Sequence, residues 1–361
     1  MKKIISILLS AVIIFSFCSC TDTKSDSLQK SLEKMTENAN FSGVIRITKN
    51  GKTLCEIARG SAFSGAAEQN TMNSRFCIGS VSKQFAAASI MLLKQRGMLS
   101  VEDKLEKYFP QYKIGKDITL KNLLTMRSGI AEFYGVYYID DAFTEIPTND
   151  LEGVLTNQKT PGENREILKS WLFKQPLLFE PDSTYEYSNS NFFLLAEVVS
   201  QVSGMEYEDF VKKNILDTLG MKQTGFIDDN RDFNGLSKPS VDTKTVYIGI
   251  TRGLGDLYSC ADDMDLWLSS FRKHTLLTEE SVKEMSQDYS PEDEYYYGYG
   301  INPDGEGGLF HTGFFSTYYA VDYTNPEEEI NLFAVTNDNK SMKADLTELC
   351  FKLLDKAQSD L

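Results

Sequence analysis

The sequence predicts an α+β fold in which a single sheet is assembled from both ends of the chain, with helices inserted between. Short runs of β-rich residues lie near both ends, whereas most segments between them have the apolar spacing of helices. The chain has 361 residues, of which 41% are apolar and 25% charged, an ordinary composition for a globular protein. It is therefore long enough to bury a substantial core in one large or two moderate domains.

The first predicted elements are a helix and a hairpin. Residues 28–38 carry charged residues between apolar ones, the pattern of an amphipathic helix. Two β-rich runs, 41–47 and 53–58, flank Asn50-Gly51, a dipeptide that strongly favours a hairpin turn.

The middle and end of the chain supply the remaining elements. Residues 137–164 have weak periodicity and are interpreted as an insertion or a long loop. The tyrosine run at 295–299 is interpreted as a strand edge. The other predictions are helices at 81–96, 119–126, 191–202, 262–271, 278–286 and 344–356, and strands at 309–310, 318–323 and 330–336.

The N-terminus has the features of an export signal. Lys2 and Lys3 precede an apolar stretch of about fourteen residues, shorter than the ~20 that a membrane-spanning helix needs. A small residue stands directly before Cys20, which resembles the lipobox of bacterial lipoproteins. We therefore predict a signal peptide at 1–19, lipidation of Cys20 and a polar tether at 20–27, so that the protein is exported and held outside the cytoplasm by lipid alone. An ordinary cleaved signal peptide is the alternative.

Charge and composition exclude several classes of function. The formal net charge is −15, and loss of Lys2 and Lys3 with the signal would make it −17, which argues against a nucleic-acid partner. With only His274 and His311, the chain has too few histidines for a His-rich metal centre and little room for a Ser-His-Asp triad. No metal or cofactor is expected. The spacings of Cys55, Cys77, Cys260 and Cys350 match no zinc site, and they leave free thiols and disulfides both open.

The first candidate motif is Ser80-Val81-Ser82-Lys83. Residues three apart on a helix share one face, so an unprotonated Lys83 could take the proton of the Ser80 hydroxyl and make it a nucleophile. A helix N-terminus also aims free backbone N–H groups at a developing oxyanion. The pattern S-x-x-K occurs four times in this chain, so it is not specific alone.

Two later motifs add specificity. In Tyr187-Ser188-Asn189, the tyrosine could act as a general base if the charge of Lys83 lowers its pKa, and Asn189 could orient the lysine or a substrate carbonyl. His311-Thr312-Gly313 precedes a β-rich run. There Thr312 could bind a substrate carboxylate, Gly313 would let substrate backbone approach, and the N–H of Phe314 could donate to an oxyanion.

The order of the three motifs resembles the class C β-lactamase and DD-carboxypeptidase branch of the penicillin-recognising serine hydrolases. The likeness extends over longer blocks from about Phe41 to Leu354, among them ITLKNLLTMRSGI and YEYSNSNFFLLAEVVSQVSG. It implies a β-lactamase/transpeptidase-like fold, an antiparallel sheet flanked by helices beside a mostly helical subdomain. The catalytic domain would span residues 28–361 and the subdomain roughly 98–250.

The resemblance also implies the roles of the motif residues. Ser80 would be acylated, with Lys83 and Tyr187 handling its proton. Asn189, His311, Thr312 and Gly313 would bind substrate, and the backbone N–H groups of Ser80 and Phe314 would form the oxyanion hole. The substrate would be a small peptide, amide or ester, peptidoglycan-derived ones included.

Several positions depart from the family pattern. His311 stands where class C β-lactamases usually have Lys, which favours DD-peptidase or esterase activity over efficient β-lactam hydrolysis. Phe314-Phe315 would narrow the cleft or pack as core. Arg127 and Asp182 replace small residues. The alternative function is a penicillin-binding sensor or ligand-binding lipoprotein that acylates without turnover.

Overall fold

The structure, a computed structural model, describes residues 20–62, 68–139, 142–147, 151, 154–155, 159–227, 236–237, 249–290 and 296–359. Its helices are α1 (Cys20–Asn38), α2 (Ser82–Gln95), α3 (Leu120–Leu124), α4 (Pro161–Leu172), α5 (Asn189–Ser203), α6 (Tyr207–Val211), α7 (Asp217–Leu219), α8 (Ala261–Lys273), α9 (Glu279–Met285) and α10 (Leu346–Ser359). Its strands are β1 (Gly43–Lys49), β2 (Lys52–Arg59), β3 (Phe76–Cys77), β4 (Tyr134–Ile139), β5 (Ala142–Pro147), β6 (Gly225–Phe226), β7 (Leu257–Ser259), β8 (Asn302–Pro303), β9 (Leu309–Phe315), β10 (Tyr318–Asn325) and β11 (Ile330–Thr336).

The main sheet joins the two ends of the chain, as predicted. Its strand order is β2-β1-β11-β10-β9-β8, and the adjacent strands pair antiparallel. The first strand pairs with the last in the register Gly43↔Thr336. The predicted hairpin is also confirmed, because Lys49 pairs with Lys52 across Asn50 and Gly51, whose φ angles are 54° and 70°.

Helices cover both faces of this sheet because its strands are apolar on both sides. Ile45 and Ile47 pack with residues of α1 and α10, whereas Val44 belongs to the larger core that includes α2 and α8. A strand's side chains alternate between faces, so neighbouring residues of β1 serve two different cores. The sheet is therefore buried between a terminal helix pair and the rest of the molecule.

The helical part lies between the two groups of strands in sequence. Elements α3 to α7 fall between residues 98 and 250, a stretch that also holds β4, β5 and β6. Helix α5 packs against α2, the helix that follows Ser80, and against α3. Helix α5 ends at Ser203, and the next residue, Gly204, has a φ of 69° and takes the left-handed conformation typical of a helix C-terminus.

Three predictions need correction. Residues 20–27 were expected to be an irregular tether, but they form the beginning of α1. The predicted loop at 137–164 instead contains most of a hairpin, β4 and β5, and the start of α4, where Thr160 caps the helix and Pro161 opens it. Residues 296–299, expected at a strand edge, are irregular. Residue 295 and the predicted signal peptide at 1–19 lie outside the described residues.

The four cysteines beyond the N-terminal segment are free and buried: Cys55, Cys77, Cys260 and Cys350. Burial raises the pKa of each thiol, to about 12 for Cys55, and so disfavours the reactive thiolate. Within the described chain, no helix combines the length and apolar character needed to span a membrane.

Candidate active site

Ser80 lies in a 3-10 turn, Gly79–Val81, that leads directly into α2. The Ile78 N–H donates a hydrogen bond to the carbonyl of Leu257 in β7, which fixes the turn to a small sheet of strand order β3-β7-β6. Lys83 therefore falls in the first turn of α2, and its Nζ lies 2.9 Å from Ser80 Oγ. The predicted pairing of these two side chains is present.

The ammonium group of Lys83 is completely enclosed. Besides Ser80 Oγ, Nζ lies 2.8 Å from Asn189 Oδ1 and 3.0 Å from the carbonyl oxygen of Leu254, and none of the side chain is exposed. A buried lysine without partners would be strongly destabilising, so these three contacts offset the loss of water.

The chemistry of the three partners restricts the direction of the lysine lone pair. The amide oxygen of Asn189 and the carbonyl of Leu254 can only accept hydrogen bonds, so each requires an N–H from Lys83. An unprotonated lysine has two N–H bonds, and both are used. Its lone pair can then point toward the Ser80 hydroxyl, 2.9 Å away, which is the geometry a general base needs.

Asn189 and Tyr187 reach the site because α5 starts there. Asn189 is the first residue of α5, which begins earlier than the predicted residue 191. The segment before it is fixed by the Glu186 N–H, which donates to the Met126 carbonyl. Tyr187 is half-buried, and its ring centroid lies 4.9 Å from Lys83 Nζ. A positive charge on Lys83 would therefore lie against this ring.

Strand β9 runs directly beside the Ser80 turn. A Cβ on Gly313 would lie 1.9 Å from the Ile78 carbonyl oxygen and 3.0 Å from Ser80 N, and a Cβ on Gly79 would lie 2.7 Å from Phe314 N. Only glycines allow two backbones to approach this closely. The approach brings together the segments that carry the two predicted oxyanion donors, the N–H groups of Ser80 and Phe314.

His311 is more deeply buried than expected for a side chain that contacts substrate. It is 4% exposed, its Nδ1 lies 2.5 Å from the Thr312 carbonyl, and its Nε2 lies 3.4 Å from the Tyr297 hydroxyl. Because a carbonyl only accepts, Nδ1 carries the proton and Nε2 is free to accept. Burial and the nearby charge of Lys83 lower the His311 pKa to about 3. The imidazole is therefore neutral, and its ring centroid lies 6.4 Å from that of Tyr187.

The neighbours of His311 on β9 take different environments. The Thr312 side chain interacts with the Tyr319 hydroxyl, which also contacts Thr347 of α10. Phe315 packs in the larger core, one of the two expectations for the phenylalanine pair. Substrate contacts of His311, Thr312 and Gly313 stay predictions.

A buried chain of polar groups joins α2 to β9 and was missed by the sequence analysis. Trp267 donates to Gln84 (2.6 Å), Gln84 donates to Asp322 (3.0 Å), and Asp322 also accepts the His311 backbone N–H (2.8 Å). Burial raises the Asp322 pKa to about 7. The feature of the sequence that could have revealed these hydrogen bonds is an aspartate within the apolar strand β10.

The two residues that depart from the pattern of the motifs' family, Arg127 and Asp182, contact each other. Arg127 Nε lies 3.1 Å from the Asp182 carboxylate, and an Nη of Arg127 donates to the Asp182 carbonyl. Asp182 has a φ of 72°, a left-handed backbone conformation that favours glycine. Both residues line a polar cavity of about 590 Å³ together with Glu102, Lys104, Asp117, Thr119, Lys121, Asn122, Thr125, Pro181 and Tyr289.

The buried His311 predicts an acid-sensitive fold. The unfolded chain binds a proton at His311 near pH 6.5, whereas the folded chain does so only near pH 3, so this contribution to stability is lost as the pH falls below about 6.5. Relative to His311→Gln, the wild-type free energy of unfolding should drop by about 1.4 kcal/mol between pH 7.5 and 5.5. Urea unfolding at the two pH values measures this. His274→Gln, which removes the exposed histidine at the end of α8, is the control, and an equal change in both comparisons would contradict the burial argument.

Among the described residues, no cluster of three or more His, Cys, Asp or Glu side chains is placed to hold a metal ion.

The family model for beta-lactamase matches residues 28–350. Over 202 residues the chain is 30% identical to Penicillin-binding protein 4* of Bacillus subtilis (strain 168), a match that covers 56% of this chain and 41% of that protein.

A second curated relative and a solved structure are similar to this chain over most of their length. A Teichoic acid D-alanine hydrolase of Staphylococcus aureus (strain MRSA252) is 24% identical over 317 residues, which is 82% of this chain and 72% of that protein. The D-amino acid amidase of Ochrobactrum anthropi SV3 superimposes with a TM-score of 0.71 at 17% identity, covering 93% of this chain and 99% of that structure. With a family match over most of its length, the chain belongs to the beta-lactamase family, as its three motifs predict.

Proposed function

We propose that the protein is a serine hydrolase that forms an acyl-enzyme on Ser80 and cleaves a small peptide, amide or ester. The observation that carries this proposal is the set of contacts around Lys83 Nζ. Among its neighbours, Asn189 Oδ1 and the Leu254 carbonyl can only accept hydrogen bonds, and the Ser80 hydroxyl lies at 2.9 Å. This arrangement supports a lysine that removes the serine proton as the hydroxyl attacks.

Acylation would follow directly from this geometry. Ser80 Oγ attacks the substrate carbonyl carbon while its proton passes to Lys83 Nζ, and the carbonyl oxygen becomes an oxyanion. The N–H groups of Ser80 and Phe314 would stabilise that oxyanion, because preorganised donors bind developing charge without reorganising. The carbon–nitrogen or carbon–oxygen bond then breaks, the Tyr187 hydroxyl protonates the leaving group, and the Lys83 proton restores Tyr187.

Deacylation would use the same groups in reverse order. Water loses a proton to unprotonated Lys83 as it attacks the acyl carbon. Ser80 Oγ then leaves with the proton returned from Lys83. Each group ends in its starting protonation state. Hydrolysis therefore requires no cofactor beyond the residues named.

The substrate class is inferred from the site and the relatives together. Neutral His311 offers no positive charge to a carboxylate, which favours substrates that do not depend on such a pair. One relative is named as a hydrolase of teichoic acid D-alanine and a solved structure as a D-amino acid amidase. D-alanyl esters, D-amino acid amides and peptidoglycan-derived peptides are therefore the proposed substrates, with β-lactam hydrolysis a weak activity.

The location is proposed from the N-terminal sequence. Lys2, Lys3 and the apolar stretch after them support export, and the small residue before Cys20 supports lipidation there. The catalytic domain at 28–361 would then act outside the cytoplasm, attached to the membrane by lipid.

Covalent labelling tests the nucleophile. We expect a fluorophosphonate and a fluorescent penicillin to form adducts that mass spectrometry locates on Ser80, and Ser80→Ala to lose labelling. Ser31→Ala removes a serine from another S-x-x-K, in α1, and should label like wild type. Labelling of Ser80→Ala would contradict the mechanism. Adducts that persist while D-alanyl esters and amides go uncleaved would support the alternative, a sensor that acylates without turnover.

Removing the Tyr187 hydroxyl tests its place in proton transfer. Tyr187→Phe keeps the ring against Lys83 and should lower the acylation rate by about 10²- to 10⁴-fold, the usual contribution of a general acid–base. Stopped-flow measurement with a chromogenic ester gives the rate. Tyr185→Phe is a matched control, because Tyr185 also packs against Tyr297. A near-normal rate for Tyr187→Phe would remove it from this role.

A methyl group at Gly313 tests the oxyanion site. Gly313→Ala would push β9 away from the Ser80 turn and lower kcat by about 10²- to 10³-fold, the loss seen when one oxyanion donor is removed. Gly162→Ala, where only the end of the Arg165 side chain lies within 4 Å, is the control. Retention of full activity in a folded Gly313→Ala protein would contradict the assigned donors.

A further inference from the structure

The carboxylate of Glu132 contacts Asn189, the residue that accepts from Lys83. One oxygen, Oε2, accepts the backbone N–H of Asn189 and so caps the first turn of α5. The other, Oε1, lies 3.4 Å from the side-chain Nδ2 of the same residue. Both hydrogen-bonding groups on this side of Asn189 therefore face one carboxylate.

The backbone around Glu132 is held on both sides by a single serine. Ser190 Oγ donates to the Ala131 carbonyl (2.6 Å) and accepts from the Phe133 N–H (3.1 Å). Ser190 is completely buried and follows Asn189 in α5. The position of the Glu132 carboxylate relative to Asn189 is thus fixed by the same helix turn that carries Asn189.

An ionised carboxylate can only accept hydrogen bonds, so it determines which way the Asn189 amide faces. With Nδ2 toward Glu132, Oδ1 must face Lys83, which is the observed orientation. If the amide rotated by half a turn, Oδ1 would face the carboxylate and Nδ2 would face the lysine. An unprotonated Lys83 would then direct its lone pair at Asn189 instead of Ser80.

We propose that Glu132 is a positioning residue that fixes the Asn189 amide orientation and thereby aims the lone pair of Lys83 at Ser80. This inference rests on the proposed acylation of Ser80. It assigns a role to a residue that lies outside the three motifs and acts on the nucleophile through two intermediates.

The test moves the carboxylate from position 132 to position 189. In Glu132→Gln the side chain no longer requires a donor, so the Asn189 amide can turn, and we expect the acylation rate constant to fall by about 10- to 100-fold, the cost of a misplaced catalytic group. Asn189→Asp places two carboxylates face to face and should also lower the rate constant. When the two substitutions are combined, the carboxylate at position 189 offers an oxygen to Lys83 in either orientation and accepts from the new amide at position 132. At a pH high enough to deprotonate Lys83 beside this new carboxylate, the rate constant of the double variant should therefore recover to within about 10-fold of wild type.

We measure the rate constant for acylation by a chromogenic ester across the pH range in which each protein stays folded. The variants are compared at the pH where each acylates fastest. Glu180→Gln removes an exposed carboxylate from the segment leading to Tyr187 and should leave the rate unchanged. Urea unfolding of every variant separates loss of fold from loss of rate. Losses that multiply in the double variant, or a Glu132→Gln rate equal to wild type, would overturn the proposal. Labelling of wild-type Ser80 is scored separately, so failure of the mechanism itself is distinguishable.

Discussion

The site depends on the contacts of one buried amino group, that of Lys83. Lys83 Nζ is enclosed by Ser80 Oγ, Asn189 Oδ1 and the Leu254 carbonyl, with no exposed surface on the side chain. Protonated, the lysine donates to all three. Unprotonated, it donates to the two obligate acceptors and accepts from the serine. Both protonation states are therefore satisfied without rearrangement, which a group that gains and loses a proton in each cycle requires.

The fold holds these groups together by joining distant parts of the chain. The Ser80 turn and Lys83 come from the start of α2, Asn189 from the start of α5, and β9 from the sheet that the chain ends complete. Gly313 lets β9 contact the turn, and the buried chain of hydrogen bonds from Trp267 through Gln84 to Asp322 connects α2 to the same strand. Close packing leaves little freedom for these elements to shift independently.

Sequence patterns predicted the parts of this arrangement that depend on residue type and spacing. The Asn50-Gly51 turn, the helix after Ser80 and the late strands follow from local propensity, and the order of the three motifs identified the family. The Leu254 carbonyl could not be predicted, because a backbone oxygen carries no residue identity and its use depends on tertiary folding. Glu132 and Asp322 were missed for a related reason, since each acts on residues far away in sequence. The hairpin β4–β5 was missed because residues 137–164 have weak periodicity. These strands are stabilised by pairing with each other, which a local sequence pattern does not reveal.

The central claim is that the lone pair of Lys83 is directed at Ser80, and neutron diffraction from crystals at the pH of fastest acylation tests it most directly. The account predicts two hydrogens on Lys83 Nζ, one toward Asn189 Oδ1 and one toward the Leu254 carbonyl, with the Ser80 hydroxyl hydrogen lying between Oγ and Nζ. A third hydrogen on Nζ pointing at Ser80, or an Asn189 amide with Nδ2 toward the lysine, would contradict it.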